Sequence, residues 1–223
     1  MKRKRYDLIL GLGSVCSCTQ TLRQASLQHL TFPFDWITSY TKHYDVDVSR
    51  RTDQICNEFA DWFDKDDFVP ASTKDESNHD HYLNKKLEMI FIHDFDKGVP
   101  YEESFPVVRR KYRRRIDRLL QLIHKSENVL LVRVDRIDIP CRTPLSECRY
   151  AVRRMREKFA PVNFDLVLLT REIGRPFRKL KEEHPEDGIT VLAFDYKDPS
   201  PGVPDYQPIF KQTAKALSDR FAV

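Results

Sequence analysis

The residues best placed to do chemistry lie close together near the start of the chain, in the run Leu10-Gly11-Leu12-Gly13-Ser14-Val15-Cys16-Ser17-Cys18. An apolar run precedes it and a helical pattern follows, so the segment reads as the turn from a first strand into a first helix. Gly11 and Gly13 let the backbone turn sharply there. The N–H groups that open a helix are unpaired and carry partial positive charge. A cysteine held there has its thiolate favoured, and the thiolate is the nucleophile. Cys16 is therefore the first candidate nucleophile and Cys18 the second. The same N–H groups could stabilise an oxyanion or hold a phosphate, which makes Gly13 and Ser14 candidate substrate-binding residues. Ser14 is also a third candidate nucleophile. Each reading has a plainer counterpart: Gly-x-Gly after a strand is common as a tight turn, and a buried cysteine often serves only as a small apolar group. Dinucleotide binding is disfavoured, because Cys16 stands where the Gly-x-Gly-x-x-Gly fingerprint needs its third glycine.

A second group lies where the apolar run 87–93 ends in His93-Asp94-Phe95-Asp96. A histidine beside carboxylates can be a general base whose tautomer is fixed by its neighbour. Consecutive strand residues point to opposite faces, so Asp96 or Asp35 is a better geometric partner for His93 than Asp94 if the strand runs on. Alternatively, His93 closes the strand and bonds a carbonyl. In Pro33-Phe34-Asp35-Trp36, the proline and two aromatics could form a rigid pocket wall, with Trp36 touching substrate. Asp35 between them would be partly buried and would need a partner.

Arg109, Arg110, Lys111, Arg113, Arg114, Arg115 and Arg118 crowd one helical pattern whose apolar stripe is already complete. Most of them must face water, with at most two tied to carboxylates. One of Arg114, Arg115 and Arg118 could reach inward to Asp35 or Asp94, and Arg115 is the candidate substrate contact. Nucleic-acid binding is disfavoured, since aromatic interleaving is limited to Tyr112. His79-Asp80-His81 has no third ligand at a suitable spacing, so it reads as solvent-facing, and neither a metal nor another cofactor is expected.

The elements that must position these groups are read from periodicity. Runs 6–12, 87–93, 128–134, 164–170 and 188–195 are short and mostly apolar, as buried strands are. Segments 17–30, 52–63, 106–124, 145–159 and 208–221 carry apolar residues at helical spacing. The alternation predicts an α/β fold, three-layer and Rossmann-like, with a mainly parallel sheet and helices on both faces. The strands starting at Tyr6, Asn128, Phe164 and Gly188 should lie parallel in one sheet. A single domain over 1–223 is expected, with a helical and loop insertion at roughly 31–86 after the first strand-helix unit. Within it, 64–84 is polar and acidic and reads as a long loop or lid. Residues 197–207, with Pro199, Pro201 and Pro204, read as a rigid connector.

Composition narrows the function classes. Among 223 residues, Lys plus Arg number 38 and Asp plus Glu 34, so the net charge of +4 is too small for a dedicated nucleic-acid binder. No apolar run approaches the roughly 20 residues that cross a bilayer. The basic Met1-Lys2-Arg3-Lys4-Arg5 leads into an apolar run too short for a signal-peptide core, which predicts a cytoplasmic protein without a membrane span. Five cysteines in such a chain are expected to be reduced thiols.

Four blocks together carry a resemblance: Tyr6-Asp7-Leu8-Ile9-Leu10-Gly11-Leu12-Gly13-Ser14-Val15-Cys16, Pro33-Phe34-Asp35-Trp36, Phe91-Ile92-His93-Asp94-Phe95 and Arg114-Arg115-Ile116-Asp117-Arg118-Leu119. In this order, from about residue 6 to about residue 135, the chain resembles a mostly bacterial family of unknown function that carries the label papain-like cysteine peptidase. The resemblance implies a reactive Cys16, a His93 and an acid nearby. It implies hydrolysis or transfer of an acyl group on a peptide, glycan or small-molecule substrate, because glycan-modifying transferases share a similar opening. Two readings of another kind stand beside it: a non-catalytic module that binds a phosphate or glycan-phosphate, and a serine hydrolase using Ser14.

Overall fold

A computed structural model describes residues 3–13, 15–39, 46–71, 78–136, 142–172, 180–195 and 207–223. Ser14, Cys141 and the proline-rich connector around Pro199–Pro204 lie outside the described residues. Runs that are apolar without interruption become strands covered on both faces. They are β2 (Leu8–Gly11), β7 (Asn128–Val134), β8 (Asn163–Glu172) and β10 (Ile189–Asp195), all mutually parallel in the order β2-β7-β8-β10. The four segments expected to run parallel do so. A fifth strand, β9 (Lys181–Glu186), folds back antiparallel on β10 and forms an edge whose charged, mostly exposed side chains keep it from pairing further.

Alternation along these strands feeds two apolar clusters. Val129 and Leu131 of β7 and Phe164, Leu166 and Leu168 of β8 enter one cluster; Leu130, Val132, Val167 and Leu169 enter the other. Helix α1 (Ser17–Gln24) and helix α5 (Gln207–Ser218) pack against each other and add Cys18, Leu22, Ala214 and Leu217 to the second cluster. Helix α2 (Asp47–Cys56) packs on α4 (Leu145–Lys158), and both join the first cluster, as does α3 (Tyr101–Lys125). The fold is thus mixed α/β with a mostly parallel central sheet. Beside the main sheet, β1 (Lys4–Arg5) pairs in parallel with β11 (Phe221–Ala222).

The chain between α1 and α3 departs from the expected layout. The run 87–93 does not enter the parallel sheet. As β6 (Met89–Asp96) it is the inner strand of a separate four-stranded antiparallel sheet, in the order β3 (Ile37–Ser39), β6, β5 (His79–Asn84), β4 (Phe68–Pro70). The physical reason is visible in the strand's burial: Met89 and Phe91 are buried while Ile90 and Ile92 between them are only partly covered, as on a one-sided antiparallel sheet. The stretch 64–84 is likewise not a bare loop, since it supplies a short 3₁₀ turn at Lys65–Asp67 and then β4 and β5. His81, read as solvent-facing, is buried within β5. The two sheets share an apolar cluster, in which Phe34, Trp62 and Phe91 join Leu10 and Leu131. Among the described residues no helix is long and apolar enough to cross a membrane.

Candidate functional site

Strand β2 ends at Gly11, and α1 begins at Ser17 with Cys16 as its N-cap. The turn between them is tight enough to demand glycine. A Cβ built on Gly13 would lie 2.1 Å from Cys18 Cβ and 3.2 Å from the Val15 carbonyl, so no side chain fits. This packing sends Cys18 inward, while Cys16 stays half-buried at the helix start. Neither cysteine is in a disulfide. Burial pushes the Cys16 thiol above its ordinary value, against the opposing pull of its own backbone N–H and of Arg136. Burial and the nearby Asp35 push Cys18 further, up to about 12, and its thiol donates to the Val132 carbonyl at 3.5 Å. Of the two thiols, Cys16 alone is reachable, and the Arg136 charge acts on it.

The segment after α1 ties that helix to the antiparallel sheet. Asp35 is buried; its Oδ2 accepts from the Phe32 N–H at 2.7 Å and from Gln28 Nε2 at 2.6 Å, and its carbonyl accepts from the Thr19 hydroxyl of α1 at 2.9 Å. Its Oδ1 is buried and has no hydrogen-bond partner among the described residues. Desolvation raises its pKa, more than the Phe32, Gln28 and Thr19 bonds and the Arg115 charge pull it down. Next along the chain, Trp36 meets His93 edge-on at 5.7 Å between ring centroids, and the Arg23 guanidinium lies over the same indole at 5.2 Å. Arg23 is two helical turns beyond Cys16 on α1. His93 therefore reaches the Cys16 helix through Trp36, and among the described residues no hydrogen bond joins Cys16 to His93 directly.

Asp94 points the other way from its neighbour, as strand geometry requires. Its carboxylate accepts from the Tyr112 hydroxyl at 2.7 Å and pairs with Lys111 Nζ at 2.7 Å, and Arg115 Nη1 stands 3.9 Å away. The Arg115 guanidinium also covers the Tyr112 ring at 4.8 Å. One arginine of the crowded helix thus reaches inward, while Arg109, Arg110, Arg113 and Arg114 remain exposed. Asp96 is exposed, with His79 as its partner at 3.8 Å.

A third group was not singled out from sequence. Arg51 of α2 and Arg133 of β7 are both fully buried, and both pair with the buried Asp47. Arg51 donates from Nε to both Asp47 oxygens and from Nη2 to Ser39 at 2.6 Å. Arg133 donates from Nη1 to the Leu12 carbonyl at 2.9 Å and from Nε to the Thr143 hydroxyl at 3.1 Å, and Thr143 in turn donates to Asp135 at 2.5 Å. Burial alone would raise the Asp47 pKa; the Arg51 and Arg133 charges overcome it and hold the carboxylate ionised. The available signal was Arg133 itself, a lone charge inside Val129-Leu130-Leu131-Val132-Arg133-Val134 at the carboxyl end of a buried strand. Charge is rarely buried without a partner or a task. Among the described residues no cluster of His, Cys, Asp and Glu could hold a metal ion.

The family model described as "Putative papain-like cysteine peptidase" matches residues 7–172, which takes in the glycine turn, the Asp35–Trp36 step, His93 and both buried arginines. No curated protein and no solved structure matches the chain.

Proposed function

Since the chain belongs to the family of that description, we propose that it is a cysteine-dependent hydrolase or acyltransferase in which Cys16 is the nucleophile. The supporting observation is the placement of Cys16: a half-buried thiol at the start of α1, beside the carboxyl end of a parallel strand, where open α/β sheets bind their ligands. We read the central sheet, with helices against each of its faces, as a Rossmann-like three-layer scaffold for that position. His93 is the general base. It takes the Cys16 proton as the sulfur attacks the substrate carbonyl carbon, and the backbone N–H groups around Gly13 face the oxyanion that develops. When the tetrahedral species collapses, the bond to the leaving group breaks and His93 returns the proton to it. Water or an acceptor hydroxyl then attacks the thioester, again deprotonated by His93, and the Cys16 sulfur leaves.

Asp35 is the acid with a carboxyl oxygen to spare, whereas Asp94 is occupied by Tyr112 and Lys111 and positions Arg115 for substrate. Trp36 lines the site beside His93, with its indole under Arg23 of α1. Ser14, the other candidate nucleophile, lies outside the described residues.

The raised Cys16 pKa makes the unliganded thiol a protonated reserve at neutral pH, so alkylation should inflect above the ordinary thiol value. The test is the pH profile of Cys16 alkylation in wild type and in His93→Ala, with acyl-ester and peptide turnover in parallel. Cys16→Ala and His93→Ala should each abolish turnover with the circular dichroism unchanged, and Cys18→Ala should retain it. Identical alkylation profiles with and without His93, together with turnover that survives its loss, would end this reading.

A further inference from the structure

The ladder between β5 and β6 loses its register at the candidate base. It pairs His79 with Asp96 and Asp80 with Phe95, then resumes at Tyr82 with Phe91. Between those pairs β5 has only His81, whereas β6 has Ile92, His93 and Asp94. The alternation of cover breaks at the same place: Ile92 and His93 are both partly covered, and Asp94 and Phe95 are both buried. A bulge of this kind gives up regular pairing and re-aims a side chain. An imidazole is also loose about its last torsion, whose profile is broad and roughly two-fold. A base carried on a bulge therefore needs its ring held from the side.

Rings reach His93 from both neighbouring strands. Trp36 stands immediately before β3, which flanks β6 on one side, and His79 opens β5, which flanks it on the other. Trp36 meets the imidazole at 5.7 Å between centroids with the planes at 86°, and His79 meets it at 6.1 Å and 83°. Both are edge-to-face contacts within the usual aromatic range. The backbone under His79 is pinned by its ladder pair with Asp96 and by the Lys97 N–H, which donates to the Asn78 carbonyl at 3.1 Å. Its Nε2 lies 3.8 Å from the Asp96 carboxylate, but the two side chains are 32 % and 83 % exposed. An ion pair so open to water contributes little. What His79 offers His93 is its ring.

We propose that His79 is a positioning residue: its ring, with Trp36 on the opposite flank of β6, holds the His93 imidazole in the direction that proton transfer requires. This role deepens the reading of His93 as general base and rests on it. Because a ring edge does the holding, phenylalanine should serve at position 79 where alanine does not. Losing the ring lets the imidazole turn without removing any contact to substrate. The cost then falls on kcat rather than on KM.

The experiment follows two signals in the full chain: turnover of p-nitrophenyl acetate, and the nuclear Overhauser contact between the His93 ring protons and the Trp36 indole. His79→Ala should lower kcat about tenfold or more with KM nearly unchanged, and should weaken the Overhauser contact. His79→Phe should restore both signals, and Asp96→Asn should behave as wild type. Position 79 is partly in water, so both of its variants should fold, which circular dichroism checks. Unchanged kcat in His79→Ala, a KM that rises as kcat falls, or an Overhauser contact intact in His79→Ala would each overturn the proposal. So would His79→Phe as impaired as His79→Ala, or Asp96→Asn impaired to the same degree. Turnover that survives in His93→Ala would overturn the catalytic reading itself, and the Overhauser contact would still decide whether His79 orients the ring.

Discussion

Arginine appears in this protein in two opposite settings. On α3, Arg109, Arg110, Arg113 and Arg114 stand in water, and among the described residues none has a carboxylate partner. Elsewhere, Arg51 of α2 and Arg133 of β7 are far apart in sequence, fully buried, and knotted through one aspartate. The dense run draws the eye in the sequence, yet these four of its charges are solvated and replaceable. The sparse pair carries the structural and electrostatic weight, because a charge removed from water must be matched by specific neighbours. Density of charge reports a surface; a lone charge in an apolar run reports a commitment.

The sharpest way to break this contrast is to remove one member of the knot. Arg133→Met takes the donors from Leu12 and Thr143 and leaves Asp47 with a single guanidinium, so urea denaturation should show a loss of about 3–5 kcal/mol. A loss under about 1 kcal/mol would put the knot on the same footing as the surface run.

Next comes acid. Asp47 has its pKa lowered by the two arginines, so its contribution is present above the ordinary carboxylate value and is lost as pH falls through the lowered one. Asp47→Asn should therefore be destabilised at neutral pH and should flatten the acid limb of the stability profile. A smaller effect of the opposite sign belongs to Asp35, equally buried but held mainly by neutral donors. Its pKa is raised, so its contribution is present below the ordinary value and lost as pH rises through the raised one. Asp35→Asn should gain stability relative to wild type as pH climbs through that window. The smallest effect is expected from converting Arg109, Arg110, Arg113 and Arg114 together to Gln: a stability change within about 1 kcal/mol and unchanged turnover.

What could be read in advance follows the same physics. The strand at 128–134 was legible to the residue, because an apolar run covered on both faces leaves no ambiguity of period. The run ending at His93 was legible as a strand but not as a member of the right sheet. Its length and apolar content suited either sheet, and only the partial cover of Ile90 and Ile92 tells them apart. Strand β4 was hidden because it is three residues long and ends in Pro70, and β5 because its residues are mostly polar; each is held by pairing, β4 to β5 and β5 to β6, rather than by its own pattern. At the candidate site, the glycine turn declared itself through residue types. The step from Trp36 to His93 and the Arg51–Asp47–Arg133 knot join residues far apart in sequence, which no local pattern can announce.

The inserted sheet also sets the order in which the molecule can be made. Strands β2 and β7 are neighbours in space, yet Leu12 and Arg133, which bond across them, are 121 residues apart in the chain. Closing so long a loop is cheap at equilibrium, since each doubling of length costs only about 0.6 kcal/mol. It is expensive in time, because folding slows as contacts become less local. The hairpin of β5 and β6 is formed from near neighbours and can precede it. On this ordering the glycine turn, Cys16 and the buried arginines come together only after the insertion has condensed. A chain stalled partway would hold a folded insertion and no reactive centre, so that an intact thiol site is itself a certificate of completed folding.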